Sequence, residues 1–186
     1  VETGPRPGVN FAYWGPLIKV GVPQKALNIN MDAHTNVESL SFRMDGQRKE
    51  LPIVFIQNAQ TKFPIPIPIP DITPLNPPLG AIPPFTTKIK PIRETAKFSP
   101  IKAIGRGLAE ASKTSDAVFG NGMLDVLRYG QVLKSRQLVG VRGAGLAFDG
   151  LYYVNKVTHE IKSGEYKQSF ELARNGLVST TPRVPA

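Results

Sequence analysis

Hydrophobic and polar residues alternate along the final third of the chain in a pattern that predicts one β-hairpin. If Ser163-Gly164 forms a two-residue loop, with glycine supplying the positive φ that such turns require, the flanking residues pair outward in a single register. A slip of one residue would turn both faces over, so agreement on both faces at once favours this register. The polar face pairs Lys162 with Glu165, Glu160 with Lys167 and Lys156 with Glu171, and the apolar face pairs Ile161 with Tyr166, His159 with Gln168 and Val157 with Phe170.

The same period of two predicts strands in the first third of the chain. Residues 26–31 and 37–44 alternate apolar with polar side chains, and residues 51–57 form a third apolar run. Because only the short loop 32–35 separates the first two segments, we expect them to form a hairpin. Further along, residues 123–129 and 138–142 are predicted strands, and Asp149-Gly150 is a predicted turn.

Residues 63–85 hold nine of the 18 prolines, and isoleucine alternates with proline over 64–70. In an extended chain, residues i and i+2 point their N–H groups to the same side. The isoleucines can therefore donate along one edge, while the prolines leave the other edge without donors, which predicts an edge strand or strap. An exposed polyproline II spacer or a ligand for a proline-recognition module is the alternative.

One helix is predicted near residues 100–118. Ser99-Pro100 provides a capping serine followed by proline at the first helical position, and Gly120-Asn121-Gly122 provides a stop. Glycines at 105 and 107 cost about 1 kcal/mol each relative to alanine, so we expect them to allow close approach to a sheet. The apolar stripe comprises Ile101, Ile104, Leu108, Ala111, Ser115 and Val118. The fold class predicted from all segments is mainly β (α+β), with one packed helix.

Composition limits the chemistry of the chain. At 186 residues and 41% hydrophobic content, it can bury one good core, or a core with a smaller satellite. The absence of cysteine excludes disulfides, thiolate metal sites and a cysteine nucleophile. No apolar run approaches the roughly 18–20 residues of a membrane span, and no signal peptide is recognisable. Because the chain begins with Val1 and a turn-rich lead, we expect it to be a segment of something longer.

No catalytic, cofactor-binding or metal-binding motif is recognisable, so we predict a protein that is not an enzyme. The two histidines, His34 and His159, lie far apart in sequence, and a zinc site needs three or four ligands. No G-x-S-x-G elbow presents a serine, and the glycine clusters lack the spacing of phosphate-binding loops. For His159, a structural role with hydrogen-bonded ring nitrogens is expected.

The net charge of +9 and the isoelectric point near 9.9 leave an alternative function, a basic β module that binds nucleic acid or another polyanion. Its possible polyanion or partner contacts are Arg128, Lys134, Arg136 and Arg142. Because the basic residues are spread along the chain, solvated faces are the favoured interpretation. The aromatic group Phe11, Tyr13 and Trp14 could stack on a ligand, although a hydrophobic anchor for the incoming chain is favoured.

Several strings resemble the phage late-control D family, whose members are baseplate hubs of contractile phage tails and tail-like injection systems. The resemblance covers most of the chain outside the proline-rich segment, and its last string is the most specific. The strings are Ala12-Tyr13-Trp14-Gly15-Pro16, Asn36-Val37-Glu38-Ser39-Leu40, Leu138 to Gly145 and Asp149 to Gly176.

The resemblance implies the C-terminal portion of a hub. The implied domains are the end of an intermediate β module at 1–62, a strap or linker at 63–85, and a tube-like antiparallel β-barrel at 86–186. By the same resemblance the protein is a homotrimer that adapts the six-fold inner tube to the three-fold spike, without a catalytic step. Its implied partners are other copies of itself, the spike protein and the inner tube protein, with no membrane, and with nucleic acid only if it passes through the tube lumen. Its implied location is a virion tail or an extracellular contractile injection particle assembled in the bacterial cytoplasm. A cell-wall hydrolase fused to a tail module is a further alternative.

Overall fold

The protein is mainly β in a computed structural model that describes residues 2–3, 10–11, 17–58, 60–74, 76–86, 88–181 and 184. The strands are β1 Glu2–Thr3, β2 Asn10–Phe11, β3 Gln24–Asn28, β4 Ser39–Met44, β5 Leu51–Gln57, β6 Pro64–Pro68, β7 Gly80–Ile82, β8 Ile89–Ile92, β9 Val118–Asp125, β10 Leu138–Arg142, β11 Gly150–Lys162, β12 Glu165–Arg174 and β13 Leu177–Ser179. The helices are α1 Pro100–Thr114 and α2 Val126–Tyr129, with 3₁₀ turns at Asp32–His34, Gly46–Arg48 and Arg93–Lys97.

The main core lies against a six-stranded sheet with the strand order β3-β10-β11-β12-β9-β4. Only β3 and β10 run parallel, and the other neighbours are antiparallel. Most of the buried apolar side chains of this core lie in the strands of this sheet, and the others lie in the segments that join them. They are Leu27, Val37, Val118, Leu124, Val126, Tyr129, Leu133, Val139, Val141, Tyr152, Val154, Phe170 and Leu172, with Phe42 packed against them.

The hairpin β11–β12 has the register that the sequence predicts. Every predicted pair is observed, from Lys162 opposite Glu165 to Lys156 opposite Glu171, and Gly164 has a φ of +78°. The predicted apolar face turns inward over part of its length, since Phe170 is buried and Val157 and Tyr166 pack against the core. Nearer the turn, Ile161 is 73% exposed. A bulge at Asn155 shifts the pairing beyond that point.

The strands β3 and β4 do not form the predicted hairpin. They occupy opposite edges of the six-stranded sheet, where β3 pairs with β10 and β4 with β9. Alternation along a strand shows that one face is buried but does not identify the neighbouring strand, so the prediction of a hairpin was wrong. The six-stranded sheet takes strands from both sides of residues 63–85.

The six-stranded ladder is open in the part of the chain that the structure describes, so the closed, tube-like barrel is not observed. Its two edges are nevertheless joined next to the start of β4 by the buried side chain of Asn36. The Asn36 Oδ1 accepts from the Asn28 N–H at 2.8 Å, and Nδ2 donates to the Ala26 carbonyl, also at 2.8 Å. The Asn36 N–H donates to the Asn28 carbonyl at 3.0 Å.

The helix α1 ends at Thr114, earlier than predicted, because residues 118–125 form β9 instead. The predicted stop, Gly120-Asn121-Gly122, lies inside this strand. Aromatic rings leave no room for a side chain at either glycine. A Cβ at Gly120 would lie 2.7 Å from the Phe42 ring, and one at Gly122 would lie 2.5 Å from the Phe170 ring. The residues predicted to continue as a strand, 126–129, form the single turn α2.

A smaller sheet, with the order β6-β5-β8, packs one face against α1. Its β6 is the predicted proline-rich edge strand, and the Ile69 N–H beyond it donates to the Pro52 carbonyl at 2.9 Å. Ser99 caps α1 and Pro100 occupies its first turn, as predicted, although the Ser99 side chain accepts no capping hydrogen bond.

The buried stripe of α1 differs from the predicted one. It consists of Ala103, Gly107 and Ala111, whereas Ile101 is 86% exposed. A small-residue stripe lets the helix lie close to β5. Of the predicted stripe, Leu108 and Ala111 pack against the smaller sheet, whereas Ile101 and Ile104 are exposed.

Candidate interaction site

The four predicted contact cations fall into two places. Arg128 lies in α2, and Lys134 and Arg136 lie in the connection that leads to β10, whereas Arg142 is the last residue of β10. That strand separates Arg142 from the others by about 13 Å, at about 3.3 Å per residue. Arg142 lines a different feature, a cavity of about 670 Å³ that Leu146 and Val178 also line. Three of the four cations, Arg128, Lys134 and Arg136, therefore lie in α2 or in the connection that follows it.

The turn α2 is fixed at both ends by the sequence around it. Asp125 caps its start, since Asp125 Oδ1 accepts from the Leu127 N–H at 2.8 Å. Gly130 ends it in the left-handed conformation, with a φ of +80°, and its N–H donates to the Val126 carbonyl at 2.8 Å. A single turn has little stability of its own, so these caps and the packing of its side chains define its conformation.

Tyr129 anchors α2 to β3. Its ring is fully buried, its hydroxyl donates to the Lys25 carbonyl, and Lys25 Nζ donates back to the Tyr129 carbonyl at 2.9 Å. Burial raises the pKa of the Tyr129 hydroxyl to about 12, which keeps this donor protonated near neutral pH.

Two glutamine side chains hold the connection from opposite sides. Gln168 of β12 accepts from the Leu133 N–H at 2.9 Å and donates to the Leu133 carbonyl at 3.0 Å. Gln24 of β3 makes the equivalent pair with the backbone of Lys134, at 2.8 and 2.9 Å. Each glutamine amide thus bonds the N–H and the carbonyl of one residue, as the backbone of a neighbouring strand would. The backbone of residues 133–134 is therefore hydrogen-bonded as in a strand.

Apolar side chains on α2 and on this connection are exposed to solvent, although hydrogen bonds fix the backbone beside them. Leu127 is 80% exposed and Val132 is 41% exposed, although Tyr129 and Leu133 beside them are fully buried. Arg128 and Lys134 are exposed next to these apolar groups. A rigid loop with apolar groups between cations is suited to binding a protein surface that has a hydrophobic depression and carboxylates.

Sequence reasoning identified the cations but missed the residues that position them. The pair Asp125 and Gly130 is a recognisable cap pattern around one helical turn. The roles of Gln24 and Gln168 had no local signal, because their partners lie 110 and 35 residues away.

His159 is hydrogen-bonded as predicted. Its Nδ1 lies 2.7 Å from the Tyr166 hydroxyl and 3.3 Å from Gln168 Nε2.

Among the residues that the structure describes, no three His, Asp or Glu side chains lie close enough to hold a metal ion. None of the helices in those same ranges is long and apolar enough to cross a membrane. The side chains of Phe11, Tyr13 and Trp14 lie outside the described residues, as does the string 12–16.

Comparison with known proteins shows what the fold is similar to. No protein-family model matches the chain, and no curated protein matches it. The 43 kDa tail protein of prophage MuSo2 from Shewanella oneidensis matches with a TM-score of 0.49 and 13% identity, over 85% of this chain and 43% of that chain. A tail protein from Neisseria meningitidis MC58 matches with a TM-score of 0.53 and 12% identity, over 85% of this chain and 46% of that chain.

The second likeness shows a shared fold. The chain spans less than half the length of both solved chains. At these identities the likeness concerns the fold alone, and membership of the late-control D family remains a proposal.

Proposed function

We propose that this chain is a structural component of a phage tail or of a phage tail-like injection system. The observation that carries the proposal is the fold shared with the Neisseria meningitidis tail protein, at a TM-score of 0.53 over 85% of this chain. The role is mechanical, and the chain is not an enzyme. Its place is the tail of a virion or an extracellular injection particle.

The more specific role is that of a baseplate hub of the late-control D type. Three copies would surround the tail axis and adapt a six-fold inner tube to a three-fold spike. The matching strings support this role, and so does the long hairpin β11–β12, which contains most of the last string. The open sheet supports it too, because β4 pairs on one side only among the described strands, so its outer edge can contact another subunit.

The connection between α2 and β10 is the surface that we assign to a neighbouring tail component. Arg128 and Lys134 are exposed on a loop that hydrogen bonds hold in place before any partner binds, which lowers the entropic cost of association. A partner with carboxylates around an apolar depression fits Leu127 between these cations.

Assembly in vitro tests the role. The whole protein that contains this chain is co-expressed with tail-tube and spike proteins, and the mass and symmetry of the product are measured by native mass spectrometry and electron microscopy. A trimer joined to both partners is expected. A stable monomer that binds neither partner would contradict the hub role.

Charge reversal tests the surface. The double variant Arg128→Glu and Lys134→Glu is expected to weaken incorporation into the assembly, whereas Arg106→Glu on α1, which changes an exposed arginine elsewhere, is expected to leave it unchanged. Binding to DNA that falls steeply with salt and disappears in the double variant would favour the polyanion-binding alternative instead.

A further inference from the structure

We propose that the face of the smaller sheet opposite α1 is a docking face for a second, different tail component, whose surface is apolar at its centre and acidic around it. The inference rests on the proposed tail function and concerns a surface separate from the α2–β10 connection.

The two faces of this sheet differ in what covers them. Val54 of β5, with Ile67 of β6 and Ile92 of β8 opposite it, packs against α1. Alternation places the intervening residues on the other face. They are Leu51, Ile53, Phe55, Pro64, Pro66, Pro68, Ile89 and Pro91, with the polar Gln57 at the end of β5.

This second face is open to solvent. Ile89 is 62% exposed and Leu51 is 37% exposed, while Ile53 and Phe55, on the central strand, are half-buried by their neighbours. Pro66 and Pro68 are exposed as well. A contiguous apolar surface across three strands, with Gln57 as the polar residue at one end of β5, is typical of an interaction site and is costly to leave in water.

Prolines restrict how the sheet can associate. In β6 the isoleucine N–H groups point toward β5, as the bond from Ile69 to Pro52 shows, and the outward positions are prolines. In β8 the outward position at 91 is also a proline. The β6 edge therefore lacks donors, and the β8 edge keeps only the N–H of Ile89, so a partner is expected to bind through the face rather than as a further strand.

Charge distinguishes the possible occupants. Lys62 follows β5, Lys88 precedes β8 and Arg93 follows β8, so cations lie at the ends of the strands, and all three are exposed. The nearby acids at 50 and 71 are paired with Lys90 and Lys49 respectively, and the exposed Glu94 beside Arg93 still leaves these three cations in excess. Two copies of this face would bring like charges together, whereas a partner with a rim of carboxylates would be attracted.

Because the chain has no cysteine, a single introduced cysteine reports on this face alone. Ile89→Cys is compared with Ile101→Cys, which lies on α1 at 86% exposure and belongs to the same small module. Maleimide labelling rates are measured for the free protein and for the tail assembly that contains it. We expect labelling at position 89 to slow about 10-fold or more on assembly, since interface cores exclude water, with little change at position 101.

A second variant pair tests the energetic importance of the face. Ile89→Lys is expected to reduce incorporation into the assembly, and Ile101→Lys is not, with the fold of both free variants checked by circular dichroism. Incorporation of Lys62→Glu with Arg93→Glu is expected to fall as well.

Several outcomes would overturn the inference. Equal labelling at both positions within the assembly would show that the face stays open. Slow labelling at position 89 in the free protein, together with dimers in sedimentation experiments, would show that the occupant is a second copy. If the unmodified protein never enters a tail assembly, the proposed function itself fails, which is a distinct result from incorporation with an open face.

Discussion

Gln168 shows how much of the conformation near the cations depends on one neutral side chain. It is fully buried, and both ends of its amide bond the backbone of Leu133, 35 residues earlier. Buried backbone groups without partners are costly, so this glutamine has few acceptable replacements.

Gln168→Leu is expected to destabilise the protein, because the N–H and the carbonyl of Leu133 both lose their partners. Each unpaired group costs about 1–3 kcal/mol. Urea unfolding at pH 7 measures the loss. Gln131→Leu, an exposed position on the same connection, is the matched control and should change the stability by less than about 0.5 kcal/mol. Equal effects of the two substitutions would contradict the role assigned to Gln168.

Tyr129 predicts a fall in stability at alkaline pH. Its folded pKa of about 12 lies above the ordinary value of 10, so the folded state holds the phenol proton more tightly than the unfolded state. The stabilisation is therefore complete below pH 10 and is lost as the pH rises from 10 through 12. Tyr152, whose pKa burial also raises, adds to the loss in the same direction. Unfolding free energies measured from pH 9 to 12 should show this decline, and Tyr129→Phe should flatten it. A decline that begins well below pH 10 would point to other groups.

At the scale of elements, α1 packs closely against the smaller sheet. Gly107 faces β5, and a Cβ there would lie 2.7 Å from both Val54 Cγ1 and Ile69 Cγ1. Those neighbours are β-branched and buried, so they can move little. Gly105, two residues earlier, has no atom within 4 Å of where its Cβ would be.

The two glycines should respond in opposite ways to the same substitution. Gly107→Ala is expected to destabilise the protein by about 1–3 kcal/mol through overpacking. Gly105→Ala is expected to stabilise it by up to about 1 kcal/mol, because alanine is the better helix former. Thermal unfolding of both variants gives the comparison, and a stabilising Gly107→Ala would show that the helix lies further from β5.

The elements that could be predicted from the sequence are those whose conformation depends on residues close to them in the sequence. The β11–β12 register follows from a two-residue turn and the pairs on either side of it, and the start of α1 follows from Ser99-Pro100. The first part of β9, which contains Gly120 and Gly122, could not be predicted, since rings distant in sequence make glycine necessary there. The pairing of β3 with β10 had no local signal either, nor did the amide bonds of Gln24 and Gln168 at the candidate site.

At the scale of the molecule, Asn36 joins the two edges of the six-stranded sheet. Its side chain satisfies the Asn28 N–H and the Ala26 carbonyl, and both atoms belong to β3. The segment that carries Asn36 leads directly into β4 at the other edge. The side chain of Asn36 therefore helps to hold the segment before β4 against β3.

Asn36→Ala is expected to lower the free energy of unfolding by about 1–3 kcal/mol and to speed hydrogen exchange at the Asn28 amide. Asn155→Ala, which changes an exposed asparagine in the bulge of β11, should do neither. Exchange measured by mass spectrometry on peptides that cover β3 gives the test. Unchanged exchange in β3 would show that the edges stay together without this side chain.

The position of β3 and β4 at the two edges of the large sheet has a consequence for synthesis. Gln24 bonds a residue that lies 110 positions later, so β3 leaves the ribosome long before β10 exists. At about 5–20 residues per second, the wait is roughly 5 to 20 seconds. For most of that interval the strands that pair with β3 and β4 have not been made, which makes the apolar side chains of both early strands natural substrates for a chaperone.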